Sequence, residues 1–146
     1  MQTTTHYCPL CKPDDERVLW QDAYLRVIRV ADEDYPGYLR VIWTAHIAEM
    51  SDLHPRERRH MMEMVLASEE ALRECIRPDK INLASFGNMV PHLHWHVIAR
   101  FRSDRHFPQP VWGTPQREPR LPPGARPSDE ALAEALRKAA GRITGR

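Results

Sequence analysis

Three histidines alternate with apolar residues in the stretch from Pro91 to Arg100. They are His92, His94 and His96. Because successive side chains of a β-strand point to opposite faces, an extended conformation would place the three imidazoles on one face, about 7 Å from one to the next. Burial of polar rings without partners costs free energy, so each ring requires a hydrogen bond, a metal ion, a ligand or water.

Three interpretations of this pattern are open. The stretch is an amphipathic strand whose histidines are merely solvated, or a metal site, since neutral imidazole is a good zinc ligand. In the third interpretation a histidine is a nucleophile. Imidazole is mostly neutral at pH 7 and keeps a lone pair, so it can attack phosphorus and form a phosphoramidate without a separate base.

A second stretch that could bind a metal ion or carry redox chemistry is Cys-Pro-Leu-Cys, from Cys8 to Cys11. Two thiolates at this spacing can bind one zinc ion, but they supply only two of four ligands. A pair of small buried residues near a turn is the alternative, and the turn residues of Lys12–Asp15 disfavour a redox motif, which needs a following helix. Cys75 makes the number of cysteines odd, which disfavours a disulfide scaffold, and it is interpreted as a small buried apolar residue.

Composition restricts the class of protein. A chain of 146 residues with 42% hydrophobic and 28% charged residues is long enough for one domain with a real core. The formal net charge of +1 gives no electrostatic reason for bulk binding of nucleic acid. No apolar run is long enough for a transmembrane helix, and residues 1–6 are polar without an apolar signal region, so a cytoplasmic protein is expected.

The elements that position these residues follow from periodicity. Alternating patterns predict strands, and apolar residues at helical spacing predict one long amphipathic helix. The arrangement predicted is α+β, an antiparallel sheet with one long helix on one face. The predicted strands are 17–21, 24–30, 38–44, 80–86 and 91–100, and the predicted helix is 56–76, with Met61, Met64, Val65, Ala67, Leu72 and Ile76 on its apolar side.

The C-terminal part differs in composition. More than half of the 13 prolines lie between Pro108 and Pro127, which predicts an irregular, partly extended segment that either lies over the surface or is mobile. Ser128 is a good N-cap for a short helix over 131–140 that ends near Gly141. We therefore divide the chain into a domain of residues 1–116 and a proline-rich tail of residues 117–146 with a short helix.

The stretch from His92 to Ile98 resembles the signature of the histidine triad (HIT) family, in which three histidines alternate with apolar residues before a further apolar one. The segment from Ile81 to Pro91 is similar to the short bacterial branch of that family, and the resemblance extends from about Cys8 to about Gln116. It implies the same α+β fold, with two sheets joined across a homodimer, and a nucleotide as the partner. The lack of a long apolar run separately predicts no membrane association.

The resemblance also implies a mechanism for the triad His92, His94 and His96. The middle histidine, His94, attacks the α-phosphorus of a nucleotide, and water then releases the nucleoside monophosphate from the covalent intermediate. His96 donates to the phosphate or to the bridging atom. No catalytic cofactor is implied.

Further substrate contacts are implied at Asn82, Asn88 and Asp32. In the family, polar residues near the two asparagines contact the ribose and the phosphate, and an acidic residue after the second strand binds the ribose. Asn88 is also a typical turn residue, and Asp32, or its neighbour Asp34, is equally well interpreted as a solvated loop charge.

Two positions depart from the family pattern. Tyr38 occupies the place of a fourth active-site histidine, and Met89 the place of a serine near the leaving group. A non-catalytic nucleotide-binding module is therefore an alternative to an enzyme. Trp112 is assigned either to cover the nucleotide site or the dimer partner, or to pack the tail.

A structural zinc site is the last implication. Some members of the family hold zinc through residues that match Cys8, Cys11, His46 and His92, which would make a closed tetrahedral site. A zinc-dependent hydrolase and a metal-free cysteine pair are the alternatives. The function expected is that of a nucleotide hydrolase or nucleotidyl transferase, acting on the α-phosphate of nucleoside phosphoramidates or dinucleoside polyphosphates.

Overall fold

The computed structural model describes residues 8–145, so the predicted frayed end at residues 1–6 lies outside the described part. Within this described part, the chain forms five strands and two helices, with a short 3₁₀ turn before the first helix. The elements are β1 (Arg17–Gln21), β2 (Leu25–Arg29), β3 (Tyr38–Trp43), α1 (Pro55–Ile76), β4 (Lys80–Ala84), β5 (His94–Arg100) and α2 (Asp129–Thr144).

The strands make one antiparallel sheet in the order β1-β2-β3-β5-β4. The predicted α+β arrangement, an antiparallel sheet with a long helix, is confirmed. The histidine strand β5 lies inside the sheet, between β3 and β4, so both of its edges are hydrogen-bonded. His96 is opposite Arg40 on β3 and Ala84 on β4, and His94 is opposite Ile42 on β3.

The alternation of β5 divides its side chains between two environments. Val97 and Ala99 are buried in the main hydrophobic core with residues of both helices, whereas His94, His96 and Ile98 face the other side. All six apolar positions predicted for the core side of α1 are buried. Since burial of each large apolar side chain contributes about 1.5–3 kcal/mol, this core fixes the face on which the histidines emerge.

Local signals at the ends of α1 agree with its predicted position. Nδ1 of His54 accepts the backbone N–H of Arg56 at 3.3 Å, and the backbone N–H of His54 donates to the Glu57 carboxylate at 2.8 Å. Pro55 occupies the first helical turn. The helix ends at Arg77, which has a left-handed conformation with φ of 54°. Within residues 8–145, no helix is both long and apolar enough to cross a membrane.

The predicted histidine strand is too long at its start. Regular pairing of β5 begins at His94, and His92 lies in the preceding loop, where its backbone N–H donates to the carbonyl of Val90 at 2.8 Å. The prediction that three imidazoles alternate along one strand is therefore wrong for His92. Its fully buried side chain is held instead by contacts with other parts of the chain.

The predicted tail helix is also longer in the structure. α2 begins after the Ser128 cap, continues through Gly141, and ends at Gly145, whose φ of 72° suits a left-handed C-cap. Ile143 packs against the main core beyond the predicted end, and Leu132 is fully buried in it. The division of the chain after residue 116 stays a prediction, although α2 contributes to the same core as the sheet.

A buried ion pair holds the chain where it leaves β5. Arg100 and Asp104 are 2% and 0% exposed, and Nε of Arg100 donates to Oδ2 of Asp104 at 2.8 Å. Asp104 also accepts hydrogen bonds from the backbone N–H groups of Phe101, His106 and Phe107. Burial alone would raise the pKa of Asp104, but these hydrogen bonds and the guanidinium hold it below its ordinary value.

We expect Asp104→Ala to lower the free energy of unfolding by about 3–5 kcal/mol, because it leaves the buried Arg100 charge unpaired. Urea denaturation followed by circular dichroism measures this change. Glu134→Ala is the matched control, since it breaks an ion pair with Arg137 that lies on the surface, and it should change stability little. Equal stability of the two variants would contradict the structural role of Asp104.

Candidate active site and cysteine–histidine cluster

Four residues from distant parts of the sequence meet at one place, and we call them the cysteine–histidine cluster: Cys8, Cys11, His46 and His92. Their ligand atoms all lie within 4.8 Å of one another. The cysteines lie on one tight turn, in which the N–H of Cys11 donates to the carbonyl of Cys8 at 3.2 Å. His46 follows β3 and His92 precedes β5, so neighbouring strands deliver the two imidazoles.

The spacing of the donors fits one zinc ion. Nδ1 of His92 lies 3.5 Å from Sγ of Cys8, 3.4 Å from Sγ of Cys11 and 3.3 Å from Nδ1 of His46. Tetrahedral zinc with bonds of about 2.3 Å to sulfur and about 2.0–2.1 Å to nitrogen requires S···N edges of about 3.6 Å and N···N edges of about 3.3 Å. The residues present are therefore compatible with a structural zinc ion.

The ring of His92 is oriented for this role by its other nitrogen. Nε2 lies 2.5 Å from the carbonyl oxygen of Trp43. A carbonyl only accepts hydrogen bonds, so Nε2 carries the hydrogen and Nδ1 presents its lone pair to the cluster. Burial also lowers the pKa of His92, which favours the neutral ring that a metal requires.

The turn that carries the cysteines is attached to the sheet by Arg26 of β2. Its guanidinium donates to the carbonyl of Leu10 at 2.9 Å and forms an ion pair with Glu16, with Nε and Oε2 2.7 Å apart. Arg26 is 8% exposed. The cysteine turn is therefore held by a nearly buried charge pair as well as by its contact with the histidines.

The backbone of His92 orients the next histidine of the triad. Nδ1 of His94 lies 2.5 Å from the carbonyl oxygen of His92. By the same argument Nδ1 carries the hydrogen, which leaves the lone pair on Nε2 of His94. Burial, and then the charge of Arg40, lower the pKa of His94 below its ordinary value. This imidazole is therefore neutral at pH 7 and has one free nucleophilic nitrogen.

His96 lies beside His94, with their ring centroids 5.1 Å apart. Its Nδ1 is 2.8 Å from the hydroxyl of Tyr38. Burial, with smaller contributions from Arg40 and His94, lowers the pKa of His96 to about 4. His96 is thus a neutral hydrogen-bonding group at pH 7 and not a source of positive charge.

Two aromatic side chains, Phe86 and Trp112, border the ring of His96. Trp112 lies 5.0 Å from His96 and 5.0 Å from Phe86 between ring centroids. Both aromatic residues are about half exposed. Of the roles left open for Trp112, the structure thus places it beside the triad, where it continues the site beyond the sheet.

The hydrogen bonds of the described residues do not join the other predicted substrate contacts, Asn82, Asp32 and Asn88, to the triad. Asn82 is opposite Ile98 on β5, and its Oδ1 accepts from Arg100 at 2.7 Å. Asp32 is exposed, and its Oδ1 accepts from the backbone of Asp34 at 3.0 Å. Asn88 is exposed in the loop before β5. The structure brings together His94, His96 and the cluster, but it gives these three residues local partners or solvent.

Sequence reasoning missed two residues that contact or flank the triad. Ser85 donates from Oγ to the carbonyl of His94 at 2.8 Å, and Arg40 is paired with His96 in the register of β3 and β5. A signal for Arg40 was present, because alternation along the predicted third strand places Arg40 on the same face as Tyr38. No comparable signal marks Ser85.

Comparison with known proteins gives consistent matches. A family profile described as HIT domain matches residues 12–103 of the chain. A histidine triad protein from Bradyrhizobium japonicum is 29% identical with a TM-score of 0.68, and the match covers 86% of this chain and 91% of that one. A zinc-bound histidine triad family protein from Mycobacterium smegmatis shares the fold. It is 20% identical with a TM-score of 0.62, and the match covers 97% of this chain and 99% of that one.

A curated relative, an AP-4-A phosphorylase from Mycobacterium tuberculosis, is 27% identical over 78 residues. The matched segment makes up 49% of this chain but only 40% of that protein. The chain thus spans less than half the length of this curated relative.

Proposed function

The chain belongs to the histidine triad (HIT) domain family, and we propose that it is a nucleotide hydrolase or nucleotidyl transferase with His94 as its nucleophile. The proposed substrates are dinucleoside polyphosphates or nucleoside phosphoramidates, attacked at the α-phosphate. The observation that carries this proposal is the hydrogen bond from Nδ1 of His94 to the His92 carbonyl. It directs the lone pair of a buried, neutral imidazole to Nε2.

In the proposed first step, Nε2 of His94 forms a bond to the α-phosphorus, and the bond from phosphorus to the leaving group breaks. The electron pair of that bond departs with the leaving group. If the Tyr38 hydroxyl donates to Nδ1 of His96, the hydrogen of His96 lies on Nε2 and can bond a phosphate oxygen. Water then attacks phosphorus as the bond from phosphorus to Nε2 of His94 breaks, and the electron pair of that bond returns to Nε2. The water loses a proton to solvent, the nucleoside monophosphate is released, and His94 is again neutral.

The relative from Mycobacterium tuberculosis supports this class of substrate by its description as an AP-4-A phosphorylase. The zinc-hydrolase alternative is not favoured, because the four donors of the cysteine–histidine cluster would fill a tetrahedral ion and leave no open position for water. The non-catalytic alternative rests on Tyr38 and Met89. Met89 is 93% exposed, and it has no role in the mechanism proposed.

We expect His94→Ala to abolish hydrolysis of diadenosine tetraphosphate and of adenosine 5′-phosphoramidate while adenosine monophosphate still binds. Turnover is measured by chromatography of the products, and binding by calorimetry. His60→Ala is the control, since His60 pairs with Asp22 outside the triad and its loss should preserve turnover. Retained turnover in His94→Ala would contradict the mechanism, and binding without turnover in the wild type would favour the non-catalytic module.

We further propose that the cysteine–histidine cluster holds one structural zinc ion. The donor spacing supports this, and so does the zinc-bound relative from Mycobacterium smegmatis. When bound, the ion would hold the cysteine turn, β3 and the loop before β5 together. It would take no part in the chemistry at His94.

Protein purified without added zinc should contain about one zinc ion per chain by elemental analysis. Cys8→Ser should lose the metal and unfold at lower temperature, because the ion links three segments. Cys75→Ser should keep the metal, since Cys75 lies on α1 outside the cluster. Zinc retained at full occupancy by Cys8→Ser would refute the assignment.

A homodimer through the β4 edge is the third part of the proposal. β4 is an outer strand of the sheet. It carries the exposed side chain of Leu83, and the exposed side chains of Phe86 and Trp112 lie beside it. A groove of about 570 Å³ runs along the same edge. An unpaired edge with apolar neighbours is suited to pairing with another strand, and a second copy of this chain would extend the sheet.

Sedimentation of the wild type at micromolar concentration should show a dimer. Leu83→Glu should give a monomer, because it places a charge in the proposed interface. Leu66→Glu is the matched control, since Leu66 is similarly exposed but lies on α1, and it should remain dimeric. A monomeric wild type, or equal behaviour of the two variants, would exclude the β4 interface.

A further inference from the structure

Arg40 is the residue of the site that no feature of the histidine motif anticipates. It lies in the middle of β3, opposite His96 on one side and Ile28 on the other. Its side chain is half-buried on the face that carries His94 and His96. A guanidinium is therefore located next to the two imidazoles.

The guanidinium of Arg40 lacks the partner that other half-buried or buried arginines have. Arg26 pairs with Glu16, and Arg100 pairs with Asp104. Within residues 8–145, no carboxylate lies within ion-pair distance of Arg40, and its buried Nε has no hydrogen-bond partner. Its Cζ lies 6.0 Å from the ring centroid of Tyr38. The Tyr38 hydroxyl lies beside the guanidinium, but it is neutral, so the permanent charge of Arg40 is left without a counter-charge in this part of the chain.

The histidines of the triad do not supply a positive charge of their own beside that of Arg40. Burial lowers the pKa of His96 to about 4, so that ring is neutral at pH 7. Phosphoryl transfer spreads negative charge over the phosphate oxygens and the leaving group. A guanidinium suits such an anion, because its planar fork can donate two hydrogen bonds to one phosphate.

We propose that Arg40 binds the phosphate adjacent to the reacting one, and that this contact makes the site selective for phosphoanhydrides over phosphoramidates. The proposal rests on the function proposed above and names its substrate class. The bond between the α-phosphorus and the bridging oxygen breaks, and the electron pair stays on that oxygen. The leaving phosphate departs as an anion without needing a proton, and Arg40 stabilises its charge.

A phosphoramidate places a different demand on the site. Its leaving amine is expelled as a neutral molecule, so a proton must reach nitrogen as the phosphorus–nitrogen bond breaks. The hydroxyl of Tyr38 contacts Nδ1 of His96, and burial raises the pKa of that hydroxyl. The side chains around the leaving group are therefore suited to stabilise an anion better than to protonate an amine.

The test compares Arg40→Gln and Arg40→Lys with the wild type on diadenosine tetraphosphate and adenosine 5′-phosphoramidate. Arg40→Gln should lower kcat/KM for the tetraphosphate by at least about 100-fold and that for the phosphoramidate far less. Arg40→Lys should retain part of the tetraphosphate activity, because it keeps the charge without the fork. Arg137→Gln, on the exposed face of α2, is the control and should change neither value.

Equal losses on both substrates, or no loss on the tetraphosphate, would overturn the proposal. Calorimetric binding of inorganic pyrophosphate to the wild type and to Arg40→Lys decides the point if Arg40→Gln does not fold. Weaker binding by the variant supports the anion site, and equal binding refutes it. A wild type that turns over neither substrate contradicts the function proposed above, and the pyrophosphate measurement then still decides whether Arg40 binds phosphate.

Discussion

The hydrogen bond between Nδ1 of His94 and the carbonyl of His92 is the contact on which the rest of the site depends. Without it, either nitrogen of His94 could carry the hydrogen, and the lone pair would have no fixed direction. The carbonyl of His92 is itself held, because Nε2 of the same residue donates to Trp43 and Nδ1 lies in the cysteine–histidine cluster. His92 thus connects the proposed structural zinc site with His94, whose Nε2 is the proposed nucleophile.

Burial of the histidines has an electrostatic consequence for an anionic substrate. The same low-dielectric surroundings that keep the pKa of His94 and His96 low, and their lone pairs free, remove the positive charge that imidazolium would offer to phosphate. Nucleophilicity and charge must therefore come from different side chains. Arginine can supply charge where histidine cannot, since its guanidinium stays protonated at every physiological pH, and Arg40 is located on the adjacent strand.

Local patterns predicted most of the fold and only part of the site. The apolar spacing of α1 and the alternation around Val97 depend on neighbours in sequence, and they appear in the structure as predicted. The predicted start of β5 was wrong, because the contacts of His92 with distant residues outweigh its local sequence pattern. The partners of Asn82 and Arg40 follow from strand register and tertiary packing, which a single sequence does not contain. The cysteine–histidine cluster was identified only through family resemblance.

The family match ends at residue 103. The segment that follows β5 extends the site beyond that match. Asp104 fixes the start of this segment with backbone hydrogen bonds and the buried Arg100, and the chain then returns to place Trp112 against His96. Proline restricts the backbone of the unfolded chain, so a proline-rich connection loses less entropy when it becomes ordered. The proline-rich composition that predicted an irregular segment is therefore equally suited to holding an aromatic side chain at a defined place. Since Trp112 adjoins the triad from outside the sheet, differences among related proteins in this segment would alter the border of the site while leaving the tautomer of His94 unchanged.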